Sequence, residues 1–421
     1  MRPFGRLLPV PVALRRVSAA ARPLTRMEEI DLVEALGRVA AGRVTARTAV
    51  PPFARATWDG YAFQSRSTRG ATAGRPARFR LVGEVFAEGG YAHRLGKDEA
   101  VAIATGGALP KGADAVLRFE DAQVRGRELR VSAPVRLGER LAEVGEDFPK
   151  GREIVRAGRG LTPADLGGLA ITGHGRVRVW AMPRVAIVPN GNELARPGAR
   201  LRPGEIHESN NAALGGLVRA LGGIPLLFPP VRDSPIGIER AIRRGLAVAD
   251  LVVVTGGSSV GERDFLPVVF PRIGRLLFHG IAVRPGKPTL AARAGGRLVL
   301  GMPGHPTSCL SNGFWLLGPL IRRLGHRPGP PWETRRAKLS ESVDLPTAGL
   351  STVIPLEVRG ASARPTFRDS SAISSLGAAN AVALWPAGRP SPRRGTWLTA
   401  SILPPPLGPP TGPAPRGAAK G

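Results

Sequence analysis

Cysteine is nearly absent: Cys309 is the only one in 421 residues. That excludes an internal disulfide and any zinc site built from several cysteines. No histidine pattern adjoins Cys309 to activate it, so it reads as a small buried hydrophobe. Aromatic residues make up only 5% of the chain, and the basic surface therefore lacks the interleaved rings and motifs of a nucleic-acid-binding protein. No apolar stretch approaches the ~20 residues that cross a bilayer; the longest, 314–321, ends at Arg322 and Arg323. Pro3, Pro9, Pro11 and the Arg15–Arg16 pair break up the apolar core a signal peptide needs. The chain is expected to be cytoplasmic, with no membrane partner and no specific nucleic acid. Acidic residues are in deficit, 32 against 60 Lys and Arg, for a formal charge of +28. The cations are mostly Arg, scattered through Ala, Gly and Pro, which reads as biased composition acting on a surface, with nonspecific polyanion binding at low salt.

With 43% hydrophobic residues the chain can build real cores. Its length suggests two to four domains, at roughly 100–200 residues each. Apolar spacing of the 3.6 type predicts helices over 11–21 and 30–41. From 48 to about 144, short apolar runs alternate with glycine turns, as expected of hairpins or a small barrel. Residues 161–173 return to helix, with Thr162 as N-cap and Pro163 in the first position. Residues 184–325 alternate strand and helix: strands at 185–188, 225–228, 250–254, 276–283 and 297–300, helices at 210–221, 236–246 and 307–324. Repeated units of this kind imply a largely parallel sheet with helices on both faces. Pro328-Gly329-Pro330-Pro331 reads as a linker into further short strands, and 404–421 is too rich in Pro and Gly to bury a core.

The region 255–308 carries the densest chemical signal. T-G-G-S-S-V-G-E-R-D (Thr255 to Asp264), V-R-P-G-K-P (Val283 to Pro288) and G-M-P-G-H-P-T-S (Gly301 to Ser308) each follow or lie within an apolar run. A strand, a glycine turn and then a helix point backbone N–H groups at an oxyanion. Three such turns on neighbouring strands predict one concave anion pocket. Gly256, Gly257, Ser258, Ser259 and Gly261 supply close backbone approach and hydroxyl donors, though a bare G-G-S-S turn is also simply a flexible loop. Arg284 and Lys287 flank Pro285-Gly286 and form a candidate oxyanion clamp. Pro303, Gly304, Pro306 and Ser308 open a helix; His305 has no second His or Cys at ligand spacing. Glu193, in N-G-N-E-L, lies at the C-terminal edge of a strand where ligands bind. Asp233 and Asp264 stand at strand exits, where a carboxylate serves equally as a helix cap.

These strings, with W-D-G-Y-A-F (Trp58 to Phe63) and A-T-G-G-A-L-P-K-G-A-D-A-V (Ala104 to Val116), resemble the molybdopterin molybdenumtransferases, the MoeA family that includes the catalytic domain of gephyrin. The resemblance runs from about Leu14 to about Leu403. It implies a multidomain α/β and β fold: a three-layer α/β domain with a mostly parallel sheet, an inserted β-rich domain, an elongated N-terminal helical segment and a C-terminal β-barrel. The implied boundaries are 1–48 with 145–181 for the helical domain, 49–144 for the insert, 182–327 for the molybdopterin-binding domain and 328–403 for the barrel, with 404–421 a disordered tail. The implied reaction inserts molybdate or tungstate into adenylylated molybdopterin and releases AMP, with Mg²⁺ or another divalent cation. Asp264 and Asp233 are then the metal ligands. Asp59, Thr105 and Asp147, ordinary turn residues taken singly, join Glu193, Asp233, Asp264 and Lys287 as catalytic groups, the first three reaching the pocket from the partner of a homodimer. Ser371, by the same resemblance, lies near the molybdate. Transient contact with a molybdopterin adenylyltransferase is also implied.

The chain departs from the family pattern in several places. Asn192 stands where the family commonly has an acid, Gly280 and Arg284 where it commonly has Lys, and His305 and Thr307 alter the third turn. The run Ser351 to Leu356 lacks a frequent arginine. These changes bear on oxyanion choice and affinity more than on reaction class. A non-catalytic molybdopterin-binding or scaffold paralogue is the alternative reading.

Overall fold

The computed structural model describes residues 6–259, 261, 264–327, 329–345, 349–368 and 372–403. The expected tail, 404–421, and Ser371 lie outside the described residues. The chain folds as two compact units, one of residues 29–179 and one of 1–28 with 180–421. The larger unit begins with α1 (Val10–Ala20), whose Val10, Ala13 and Val17 are buried on one face at helical spacing.

The 29–179 unit contains a six-stranded mixed sheet. Its strands are β1 (Gly60–Phe63), β2 (Ala77–Val85), β3 (Glu99–Ile103), β4 (Ala115–Arg118), β5 (Gln123–Arg125) and β6 (Glu128–Val131), in the order β4-β1-β3-β2-β6-β5. Only β2 and β3 run parallel. Alternate residues bury on opposite faces: Ala62, Val101 and Val116 join one cluster, while Phe63 and Ala100 join another. Phe63 stacks on Phe79 at 4.6 Å between centroids. Helix α2 (Pro163–Ile171) starts as expected. Thr162 Oγ1 accepts from the Asp165 N–H at 3.2 Å, and Asp165 Oδ2 accepts from the Thr162 N–H at 2.9 Å, a reciprocal capping box.

The helix expected over 30–41 does not form. Met27–Asp31 is a strand, followed by a single 3-10 turn at Leu32–Glu34. Gly37 takes a φ of +69°, outside the helical region. Beyond it the backbone bonds across the chain, Gly37 N–H to Leu161 O and Ala40 N–H to Arg159 O, both at 2.9 Å. Apolar spacing there reports burial of Ala35, Val39 and Ala40 by neighbouring segments.

The larger unit holds a six-stranded sheet of β7 (Arg184–Pro189), β8 (Ile224–Leu227), β9 (Leu251–Thr255), β10 (Arg275–His279), β12 (Leu290–Ala294) and β13 (Arg297–Met302), with β11 (Val283–Arg284) outside it. The order is β8-β7-β9-β13-β12-β10. The first four are mutually parallel, and β12 and β10 add antiparallel. All five residues of β9 are buried. Val253 and Ile187 face α1, α3 (Asn210–Ala220) and α7 (Gly318–Leu324), whereas Val254 and Val188 face α4 (Pro235–Val248) and α5 (Leu266–Ile273). This is the three-layer arrangement expected, each buried Val, Leu or Ile contributing about 1.5–3 kcal/mol.

Two element expectations change. The strand expected at 276–283 is split by Gly280, at φ +97°, and β11 leaves the α/β sheet to pair in parallel with β15 (Ser351–Arg359). The helix expected at 307–324 is α6 (Pro306–Asn312), a π turn at Gly313–Leu317, and α7. Gly313 sits there because a Cβ would lie 2.7 Å from Leu217 Cδ2 on α3. The C-terminal region is a closed five-stranded barrel: β15, β16 (Ser362–Pro365), β14 (Thr334–Leu339), β18 (Trp397–Ile402) and β17 (Ala381–Trp385), which returns to β15.

Candidate functional site

At the C-terminal ends of the parallel strands the larger unit opens a cavity of about 730 Å³. Asn190 follows β7, Asp233 lies beyond β8, Thr255 to Ser259 leave β9, and Pro303 to Pro306 leave β13; all line it. Parallel strands separate there and their connecting turns diverge, so a crevice forms at this edge.

The first glycine turn is fixed by its neighbours. Gly256 and Gly257 take φ of +88° and +61°. A Cβ on Gly256 would strike the Asn190 carbonyl, and one on Gly257 would come within 2.7 Å of Asn190 Nδ2. Only glycine serves both demands, a left-handed backbone and close approach. The Gly256 N–H donates to Met302 O at 3.0 Å, joining this turn to the one after β13. Gly304 packs so closely on it that a Cβ would touch Gly256 Cα at 3.4 Å. The Asn210 side chain donates to Gly304 O at 2.9 Å.

The carboxylates are held by backbone and amide donors. Asp264 Oδ2 accepts from the Gly261 N–H at 2.7 Å, closing the end of the first turn. Asp233 Oδ1 accepts from Asn190 Nδ2 at 2.8 Å and its Oδ2 from the Asn192 N–H at 3.3 Å. Asn192 Oδ1 in turn accepts from the Asp233 N–H at 3.1 Å. The amide standing where an acid was expected therefore latches the loop that carries Asp233. Glu193 is exposed at the rim. Glu208 is the fourth carboxylate on the wall and the most enclosed, with 4% of its surface exposed. Burial pushes its pKa upward against the N–H groups of Asn211 and Asn210, which act in the opposite sense.

The cavity wall thus carries four carboxylates and, among the described residues, no Lys or Arg. Among the described residues no three His, Cys, Asp or Glu side chains group closely enough to hold a metal ion by themselves.

The second turn is built differently. Arg284 and Lys287 are exposed, and from this turn only Pro288 reaches the cavity wall. It leads into β12, so no helix follows it. Its rigidity comes from Asn312, whose Nδ2 donates to Gly286 O at 3.1 Å and to Thr289 Oγ1 at 2.5 Å. Thr289 Oγ1 donates to Gly286 O at 2.8 Å, and Trp315 Nε1 to Asn312 Oδ1 at 3.1 Å. Ser308 is buried in α6 and does not line the cavity.

Asp59, Thr105 and Asp147 belong to the 29–179 unit. There Asp59 Oδ1 accepts from the Thr105 N–H at 2.7 Å and from its hydroxyl at 2.9 Å. These bonds, the backbone one foremost, hold the Asp59 pKa below the ordinary aspartate value. Asp147 ends a loop tied by its N–H to Val50 O at 3.0 Å.

Two family models account for most of the chain. Residues 8–173 match the MoeA N-terminal region (domain I and II), and residues 186–323 match a probable molybdopterin binding domain. The Bacillus subtilis molybdopterin molybdenumtransferase is 30% identical over 390 residues, covering 90% of each chain. The chain belongs to the molybdopterin molybdenumtransferase family. The Staphylococcus epidermidis molybdopterin molybdenumtransferase is 28% identical over 364 residues, 85% of this chain and 87% of that one. A solved structure, the molybdopterin biosynthesis MoeA protein from Pyrococcus horikosii, superposes with a TM-score of 0.85 at 33% identity, covering 94% of this chain and 99% of that one. The chain is accordingly a transferase of molybdenum cofactor biosynthesis.

Among the cavity residues that sequence reasoning missed are Glu208 and Asn210. The string H-E-S-N before α3 (His207 to Asn210) was the available signal, a polar run at a helix start on the ligand edge of the sheet.

Proposed function

We propose that this protein inserts molybdate or tungstate into adenylylated molybdopterin with release of AMP, using Mg²⁺ or another divalent cation. The observation that carries the reading is the composition of the cavity, the glycine turns after β9 and β13 beside four carboxylates and no described Lys or Arg. A polyanionic ligand meets repulsion in such a wall unless a cation enters with it.

Asp233 and Asp264 would hold the cation. Each line the same cavity, and each carboxylate oxygen carries at most one of the hydrogen bonds described above. Mg²⁺ commonly takes one or two carboxylates together with substrate phosphates and water, so a cluster of three protein ligands is not required. When bound, it would neutralise phosphate charge and polarise the phosphoanhydride. The Gly256–Ser259 turn would hold the pyrophosphate oxygens, and the opening of α6 at Pro303, Gly304 and Pro306 would add the positive end of a helix. In the overall exchange the two dithiolene sulfurs would replace two oxygens of the oxyanion: one oxygen takes the bridge position at phosphorus as the anhydride P–O bond breaks and AMP leaves, and the other departs as water with the two thiol protons. Arg284 and Lys287, on a turn adjoining Pro288, would attract the oxyanion. Ser371 belongs to the same reading as a molybdate contact. Asp59, Thr105 and Asp147 would be supplied by the second subunit of a homodimer in the cytoplasm, fed through transient contact with a molybdopterin adenylyltransferase.

The test is AMP release from adenylylated molybdopterin by the purified protein. Release is expected only with molybdate or tungstate present, to be abolished by EDTA and restored by Mg²⁺. Release at the same rate without either oxyanion would overturn the reading.

A further inference from the structure

Glu208 is a cavity carboxylate with no task in the reaction described above. It is 4% exposed and still lines the cavity, whereas Glu193 is exposed and Asp233 and Asp264 are intermediate. Its Oε1 accepts from the Asn211 N–H at 2.9 Å at the start of the 11-residue helix α3. No ion pair among the described residues offsets its charge. A cap alone does not call for a carboxylate this enclosed on a cavity wall, since Ser or Asn caps a helix equally well.

Two independent features point to a ligand. Asn190, 3% exposed, and Asn210, 7% exposed, also line the cavity, and each has a buried amide oxygen with no hydrogen-bond partner. Their amide nitrogens are already committed, to Asp233 Oδ1 and to Gly304 O. Beside Glu208 the wall therefore carries, at Asn210, a buried amide oxygen still without a donor, with the Ser209 and His207 side chains next to them. A phosphate, itself all acceptor, does not match it; a planar heterocycle presenting adjacent N–H groups does.

We propose that Glu208 is a specificity-determining residue that accepts hydrogen bonds from the ring N–H and exocyclic amino group of a 2-amino-4-oxo pyrimidine edge, the edge found on a pterin. This rests on the proposed function in taking a pterin as the bound group. The two donors of that edge are spaced like the two oxygens of a carboxylate, and burial strengthens charge-assisted bonds of this kind. The upward pull of burial on Glu208 is relieved when such donors arrive.

The full-length protein is titrated with pterin and with lumazine, in which an oxo group replaces the 2-amino group, by ligand fluorescence. The parent protein is expected to bind pterin at least about tenfold more tightly, the scale of one charge-assisted bond. Glu208→Gln keeps an acceptor for the Asn211 N–H and should bring the ratio to within about twofold. Glu208→Asp, which keeps the charge but withdraws it by one methylene, should weaken pterin more than lumazine and serves if the Gln variant fails to fold. A parent ratio near one, or an unchanged ratio in a folded Glu208 variant, overturns the proposal. AMP release is measured alongside: normal release with no discrimination removes the role of Glu208 alone, whereas discrimination without AMP release removes the catalytic reading alone.

Discussion

Asp264 shows how one side chain serves structure and chemistry without conflict. Its bond to the Gly261 N–H needs an acceptor oxygen, which asparagine also has. Asp264→Asn should therefore change stability by no more than about 0.5 kcal/mol. It removes a charge expected to hold the cation, so AMP release should fall by more than about a hundredfold. A folded Asn variant with near-parent turnover would take Asp264 out of the mechanism. Cys309 makes the opposite case. It is fully buried in α6, and burial pushes its thiol upward, with Glu208 adding to the shift. The thiolate is the reactive form, so a disulfide reagent should leave the native protein unmodified and titrate one thiol only in denaturant. Rapid labelling of native protein would contradict the burial.

Among the elements, the turn from Val283 to Thr289 separates rigidity from charge. Gly286 holds φ +115° and a Cβ there would collide with the Asn312 amide. Gly286→Ala should cost about 1–3 kcal/mol in denaturant unfolding. Lys287, exposed on the same turn, should behave differently. Lys287→Ala should barely move the unfolding midpoint yet raise the molybdate requirement about ten- to a hundredfold, the scale of one charge-assisted contact. Arg284→Lys, which keeps the charge, should be milder. If Lys287→Ala titrates with molybdate like the parent, the turn is structural and the clamp lies elsewhere.

At the scale of the whole molecule, the proposed homodimer makes a prediction that no single chain can satisfy. Asp59→Ala and Asp264→Asn proteins, each nearly inactive, should recover partial AMP release after subunits exchange, because a mixed dimer regains one intact set of groups. Exchange without recovery would count against a shared site. Much of this architecture was readable beforehand for a local reason. An apolar run such as Leu251–Val254 admits burial on both faces, and glycines at 256 and 257 mark a turn that other residues resist. The Thr162-Pro163 start of α2 is a local signal too, and it appears as expected. Where neighbours distant in sequence decide, the reading failed. The apolar spacing at 30–41 is equally compatible with a strand and turn once Arg159 and Leu161 accept its N–H groups. Gly280 carries no local sign that β11 will leave one sheet for the barrel. Glu208 and Asn210 are unremarkable polar residues until parallel strands bring their loops to one edge. Sequence determined what depends on a few adjacent residues: turn chemistry, helix starts, fully buried strands and, through its motifs, the family. Tertiary structure decided which polar side chains share a wall and which turn lies off it, because hydrogen bonds and burial between segments outweigh the preferences of each segment alone.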